Sequence, residues 1–275
     1  MHDKLAHLQD ILRQMGTVAV AFSGGVDSSF LLKVAHDVLG DAVIALTADS
    51  PSLARAELAE AQEFAASLGV RHVCLEPAEM DDPRYVSNTA DRCYYCKTHT
   101  YDLFLPYAAA HGYAYVVDGN NADDVGDHRP GRRAAAEHGV HSPLHEAGLT
   151  KAEIRSLARE MGLSLWNKPA AACLSSRLPY GAAVTAEALG QVEAAESYLR
   201  GLGFRQLRVR HHGQIGRLEL EPADFAAALE QRDAIVAKLR EIGFAYVALD
   251  LAGFRSGSLN DALRSHGHSQ ISLVA

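Results

Sequence analysis

Apolar residues fall along this chain in two kinds of run. Short apolar runs at residues 17–22 (TVAVAF) and 42–48 (AVIALTA) read as buried strands, and 71–75 (RHVCL) and 113–118 (YAYVVD) as a short third strand and a fourth. Between them, apolar residues recur at helical spacing. Phe30, Leu31, Val34 and Val38 share one helical face, and so do Ala61, Phe64, Ala65 and Leu68 within a helix at 52–68 that Gly69 stops. Residues 76–91 are polar and carry Pro77 and Pro83, which predicts a loop or broken helix reaching over the strand ends. Residues 92–111 read as mainly helical, with Pro106 expected to kink or interrupt them. Thr150-Lys151-Ala152-Glu153 is a capping box that opens a helix over 151–161, ended by Gly162. Strands alternating with helices predict an α/β domain: a parallel sheet, helices on both faces, and ligands at the carboxyl ends of the strands.

Residues 120–145 are rich in Gly, Asp and Arg and read as a long functional loop with a short helix near 132–138. Residues 168–181 hold two prolines and little periodicity, the pattern of a hinge. From Thr185 the order changes. A helix at 186–202 precedes strands at 206–211 and 215–221, helical turns across 222–242, and a last strand at 245–251. That is a smaller α+β domain, expected to carry an antiparallel sheet. The expected division is 1–168 and 169–275.

Composition narrows the class. At 275 residues, 48% hydrophobic and 22% charged, the chain is an ordinary globular one with length for one large domain or two. Residues 1–14 carry charges throughout and no long apolar core, so neither a signal peptide nor a membrane anchor is expected, and the location is expected to be cytoplasmic. A net charge of −8 argues against a nucleic-acid partner. Four cysteines in such a chain read as thiols or metal ligands, not as a disulfide framework.

The densest chemistry is SGGVDSS at 23–29. Two glycines after a strand let the backbone approach a ligand, and Asp27 is expected to cap the helix that follows. Backbone N–H groups converging at a helix N-terminus make an anion site, here expected to take a nucleotide phosphate. The Gly-Lys-Ser/Thr of a Walker loop and the G-x-G-x-x-G of a Rossmann turn are both missing. The string resembles the PP-loop of the N-type ATP pyrophosphatases (the adenine nucleotide alpha hydrolase-like fold), which hold the β,γ-pyrophosphate of ATP and transfer AMP to a substrate oxygen.

Cys93-Tyr94-Tyr95-Cys96 opens a helix, and Cys173 lies far downstream in KPAAACLSSRLPYG. A lone C-x-x-C fits a redox pair, half a zinc site or no site at all. Cys173 stands beside Ser175, Ser176 and Arg177, where positive charge favours a reactive thiolate. Three cysteines can hold three irons of a 4Fe–4S cluster and leave the fourth open. Zinc is the rival, with His99 as a fourth ligand. Cys74, at the end of an apolar strand, reads as a small buried core residue.

SGGVDSS, DGNNADDVGDHRPGRRAA, SPLHEAGLTKAEIRSLARE, WNKPAAACLSSRLPYG, LRVRHH and DLAGFRSG together resemble the LarE family of PP-loop sulfur transferases over nearly the whole chain. The resemblance implies adenylation of the carboxylates of pyridinium-3,5-biscarboxylic acid mononucleotide by MgATP, attack by sulfur, and release of thiocarboxylates for a nickel-pincer cofactor. In one type of member the cysteine matching Cys173 gives up its own sulfur. In the other, cysteines matching Cys93, Cys96 and Cys173 bind a 4Fe–4S cluster. All three are present, so the chain resembles the cluster type. The resemblance further implies that Ser23, Gly24, Gly25, Asp27 and Ser28 bind the phosphates, that Asp27 lies near magnesium, and that Asp118 and Gly119 sit beside the nucleotide. Lys97 and Glu196 match family positions near the reactive centre, and members form homo-oligomers (hexamers).

Ser176 and Arg177 are expected to position the adenylate. Arg208 and Arg210 alternate along one strand and share a face, which suits a substrate phosphate, and Arg255 is expected to join them. The same arginines would equally suit carboxylates at an oligomer contact. His211 and His212 point to opposite faces and make a poor shared metal site; Tyr94 and Tyr95 suit packing or a substrate platform. Rival functions are a PP-loop tRNA thiolase, for which a basic RNA surface is expected, an amide-forming synthetase, and a nucleotide-binding regulator.

Overall fold

A computed structural model describes residues 1–124, 130–169, 172–255 and 259. Parts of DGNNADDVGDHRPGRRAA, WNKPAAACLSSRLPYG and DLAGFRSG lie outside the described residues. The chain divides into two compact units, Met1–Ala171 and Ala172–Ala275.

The first unit opens with α1 (His2–Met15), a charged helix that buries Leu8 and Leu12. Then come β1 (Val18–Ala21), α2 (Val26–Leu39), β2 (Val43–Ala48), α3 (Arg55–Ser67) and β3 (Arg71–Leu75). The polar stretch beyond β3 contains only a 3-10 turn, Glu79–Asp81, and the one-turn helix α4 (Pro83–Val86). After it, α5 (Arg92–Ala110) runs through Pro106 without interruption. The proline forfeits one backbone bond, to Asp102, and the helix ends four residues later. β4 (Tyr115–Val117), α6 (Pro130–Glu137), α7 (Pro143–Glu146) and α8 (Lys151–Glu160) complete the unit.

All four strands run parallel in the order β3-β2-β1-β4. Alternation along each strand decides which layer it packs. Val18, Val20, Val43, Ala45 and Val117 face a core with residues of α1, α2, α3 and α8, while Ala19, Ile44, Leu46 and Val116 face Tyr101, Phe104 and Ala108 of α5 and Ala134 and Ala135 of α6. Both faces are covered, as the sequence pattern predicts, so every strand delivers its C-terminal end to one edge.

The second unit begins with a 3-10 turn, Leu174–Arg177, and continues through α9 (Ala186–Gly201), β5 (Leu207–His212), β6 (Ile215–Leu220), α10 (Phe225–Glu230), α11 (Arg232–Ile242) and β7 (Tyr246–Leu249). Its sheet is mixed. β5 and β6 form an antiparallel hairpin, but β7 lies parallel to β6 because α10 and α11 carry the chain back across the sheet first. The expectation of a wholly antiparallel sheet is therefore corrected. Leu199, Leu207, Val209, Leu218, Leu220, Ile235 and Leu239 fill its core. Among the described residues, no helix is long and apolar enough to cross a membrane.

Candidate active site

In the first unit, β1 ends at Ala21, and Phe22 leads into Ser23, Gly24 and Gly25 before α2 begins at Val26. Gly24 has φ +69°, and a Cβ added there would stand 2.9 Å from the Cβ of Ala61 on α3. Only glycine meets both conditions. Ser28 knits the loop: its hydroxyl lies 3.3 Å from Ser23 N, 3.2 Å from Ser23 Oγ and 3.2 Å from Gly25 O. The N-cap of α2 is Gly25, with no side-chain cap hydrogen bond. Asp27 therefore does not cap the helix, contrary to expectation. It lies one residue inside, in the first turn, because the second glycine already supplies the extended cap conformation. A helix start without a side-chain oxygen keeps its first N–H groups available to an anion.

Asp27 instead forms an ion pair through Oδ2 with the Lys151 ammonium, while its Oδ1 is buried without a partner. Lys151 is the first residue of α8, and the capping box of Thr150 and Glu153 fixes that end. Glu153 also pairs with Lys4 at 2.8 Å, and the Lys4 and Thr150 donors hold its carboxyl down to about 2. A carboxylate oxygen left over at the phosphate-binding loop fits a divalent cation carried by the phosphates. Lys168 reaches Glu57 at 2.6 Å, Glu60 at 2.8 Å and Gly24 O at 3.2 Å, tying the loop to α3. Neither Lys151 nor Lys168 is identifiable from the sequence, since their partners lie more than a hundred residues away.

Beyond β4, Asp118 is buried and accepts hydrogen bonds from Tyr101 Oη (3.1 Å), Asn120 N (3.1 Å), Asn120 Nδ2 (2.6 Å) and Ser142 Oγ (2.7 Å). Its carboxylate holds the turn. Gly119 lies against the start of α2, where an added Cβ would stand 2.9 Å from Ser28 N. Burial pushes the Tyr101 hydroxyl up to about 12. The Lys97 ammonium lies 5.5 Å from the centroid of that ring. Tyr101 first, then Asp118 and the thiols of Cys96 and Cys93, hold its pKa above the ordinary lysine value. Lys97 thus stands with the two cysteines on α5.

Cys93 is exposed and Cys96 half-buried, and neither is in a disulfide. Arg92 Nη2 lies 3.7 Å from Cys93 Sγ, and its Nη1 donates to Asn88 Oδ1 at 2.7 Å. His99 Nε2 is engaged by Asp82 at 2.9 Å, which removes that nitrogen from metal binding. Among the described residues, no three His, Cys, Asp or Glu side chains are grouped to hold a metal. Cys74 is half-buried, not the core residue expected, with Gln62 Nε2 3.8 Å from its sulfur. It sits on β3, a strand at the edge of the sheet, where one flank lacks cover.

In the second unit, Cys173 is exposed and caps the turn Leu174–Arg177. Its carbonyl oxygen accepts from Ser176 N (3.0 Å), Ser176 Oγ (2.7 Å) and Arg177 Nη1 (2.9 Å). Arg177 is itself buried and paired in a fork with Glu196, at 2.8 Å from Nε to Oε1 and 2.9 Å from Nη2 to Oε2. Burial alone would raise the Glu196 carboxyl, yet Arg177 and the Val209 N–H hold it below the usual range. Arg177 thus links the Cys173 carbonyl to Glu196 on α9.

Arg210 is equally committed: Nε and Nη2 meet Glu219 at 3.0 and 2.9 Å, and Nη1 reaches Ser176 O at 2.6 Å. Arg208 donates to Leu207 O at 2.7 Å and lies 5.1 Å from the Phe254 ring. Burial, then the charges of Arg177, Arg210 and Arg200, bring its guanidinium down to about 10. Arg255 is exposed, one residue beyond Phe254. Cation charge gathered around a half-buried arginine is an environment that an anion relieves.

The asparagine synthase family model matches residues 8–231. An uncharacterized protein of Synechocystis is 44% identical over 265 residues, 96% of this chain and 99% of the relative. Pyridinium-3,5-bisthiocarboxylic acid mononucleotide synthase of Lactiplantibacillus plantarum is 43% identical over 261 residues, 94% of this chain and 95% of the relative. One component of the glutamine-hydrolyzing GMP synthase of Archaeoglobus fulgidus is 24% identical over 264 residues, 90% of this chain and 81% of the relative. A glycine-built phosphate loop on a parallel sheet, matched over that length, assigns the chain to the LarE family of PP-loop enzymes: ATP-using, adenylating sulfur transferases.

Proposed function

We propose that the protein adenylates the carboxylates of pyridinium-3,5-biscarboxylic acid mononucleotide and converts them to thiocarboxylates for a nickel-pincer cofactor. The observation that carries this reading is the uncapped start of α2 beside Asp27, in a chain 43% identical to a synthase of the bisthiocarboxylic product. A carboxylate oxygen attacks the α-phosphorus of MgATP and pyrophosphate leaves. Sulfide then attacks the acyl carbon, and AMP leaves with the former carboxylate oxygen. Ser23, Gly24, Gly25 and Ser28 bind the departing pyrophosphate, Asp27 would hold Mg2+, which would neutralise charge on the phosphates, and Asp118 and Gly119 shape the nucleotide side. Arg208, with Arg255, takes the substrate phosphate, while Arg210, expected from the sequence to join them, is held by Glu219 and Ser176 and braces the strand beneath.

For the sulfur, three thiols of which two are exposed are a donor set suited to iron. Cys93, Cys96 and Cys173 would hold a 4Fe–4S cluster, which when bound supplies an open iron for hydrosulfide, and Lys97 lies beside the first two. The exposed Cys173, anchored through its main chain, favours a second reading in which Cys173 itself is the donor. The partner is a small pyridinium nucleotide and not nucleic acid, and the assembly is a homo-oligomer. Pyrophosphate release dependent on the pyridinium dicarboxylate tests the reaction. Anaerobic iron–sulfur reconstitution of wild type and the three single Cys→Ala variants tests the sulfur route. Loss of activity in Cys173→Ala alone, with no iron in wild type, would make Cys173 the sacrificial donor.

A further inference from the structure

Phe22 is the last residue before the phosphate loop, and its peptide link to Ser23 is gripped at both ends. The Ser23 N–H faces Ser28 Oγ at 3.3 Å, and the Phe22 carbonyl faces Thr47 Oγ1 at 2.6 Å. Thr47, on β2, is 2% exposed, and its Oγ1 also lies 2.7 Å from Nε2 of His72 on β3. The proton placement follows from the carbonyl. Two oxygens this close repel unless a proton lies between them, and a carbonyl only accepts. Thr47 therefore donates to Phe22 O, and its oxygen accepts from His72 Nε2–H. The His72 ring also packs T-shaped against the Phe22 ring, with centroids 5.6 Å apart. Burial lowers the His72 pKa, which keeps the ring neutral. Its Nε2–H donates in either protonation state, so the relay does not depend on pH.

We propose that His72, acting through Thr47, is a positioning residue for nucleotide binding: it sets the plane of the Phe22–Ser23 peptide and thereby aims the N–H groups of the phosphate loop. This rests on the loop being the ATP site. The test compares Thr47→Val and His72→Phe, which remove the hydroxyl or the N–H while keeping shape or ring, with Thr47→Ser and His72→Gln, which keep the donor. MgATP affinity is measured by calorimetry, alongside melting temperature and the separate effects on KM for ATP and kcat. Loss of one such hydrogen bond weakens MgATP binding about three- to tenfold in Thr47→Val and His72→Phe, with KM rising more than kcat falls, while Thr47→Ser and His72→Gln stay within about twofold. Unchanged affinity in Thr47→Val and His72→Phe would overturn the proposal even if both melt earlier, as would a His72→Gln variant as weak as His72→Phe. A wild type that does not bind MgATP would instead overturn the nucleotide reading itself.

Discussion

Replacing Gly24 with alanine perturbs the phosphate loop in two separable ways. The first is conformational: at φ +69° an alanine pays the left-handed penalty of about 1–2 kcal/mol. The second is steric, because the new Cβ would stand 2.9 Å from Ala61 Cβ and 3.3 Å from Ala61 Cα. Ala61 is only 1% exposed, so α3 has no easy retreat, and overpacking of this kind costs about 1–3 kcal/mol. The expected total is about 2–5 kcal/mol. Gly69 supplies the control, since it closes α3 in the left-handed conformation, with φ +71° and nothing within 4 Å of an added Cβ. Gly69→Ala therefore carries the conformational part alone. Denaturant unfolding of both variants gives the steric part by difference, and Ala61→Gly in the Gly24→Ala background should recover most of that part but none of the conformational one. Pyrophosphate release should fall further than stability, because the loop that shifts is the one aimed at the phosphates. A Gly24→Ala variant no less stable than Gly69→Ala would refute the reasoning.

Asp27→Ala should abolish pyrophosphate release while leaving the fold largely intact by circular dichroism and thermal melting; retained release would count against the nucleotide assignment. Replacing Arg208 should weaken binding of the pyridinium nucleotide by about 1.5–3 kcal/mol with little change for ATP, as calorimetry with each ligand will show. The same loss for both ligands would point to a structural role. Glu153 has its folded pKa depressed from 4.5 to about 2, so its stabilising contribution is present above about pH 4.5 and is lost as pH falls toward 2. The stability gap between wild type and Glu153→Gln should accordingly close over that window, and a gap that widens on acidification would contradict the assignment.

The parallel sheet and the phosphate loop are legible because local pattern determines them: continuous apolar runs, paired glycines and a capping box each act within a few residues. The helix cap misleads for a local reason too. An aspartate near a helix start usually caps it, but here Gly25 takes that position and Asp27 turns to Lys151, a partner 124 residues distant. Strand direction in the second unit is not legible, because alternation along β7 is the same whichever way the strand runs. Glu196 reads from spacing alone as a solvated helix charge. Its place among Val192, Ala195 and Leu199 on the buried face of α9 is the available signal, since a carboxylate on an apolar stripe needs a partner, and Arg177 supplies it.

The anchoring of Cys173 separates two kinds of inheritance. Ser176 and Arg177 grip its carbonyl oxygen, an atom every amino acid possesses, and the exposed thiol takes no part in that grip. The architecture of the turn is thus indifferent to what the side chain carries. Substitution at position 173 by another L-residue would leave both contacts in place, so the scaffold beneath constrains the chemistry at this position far less than it constrains Ser176 and Arg177.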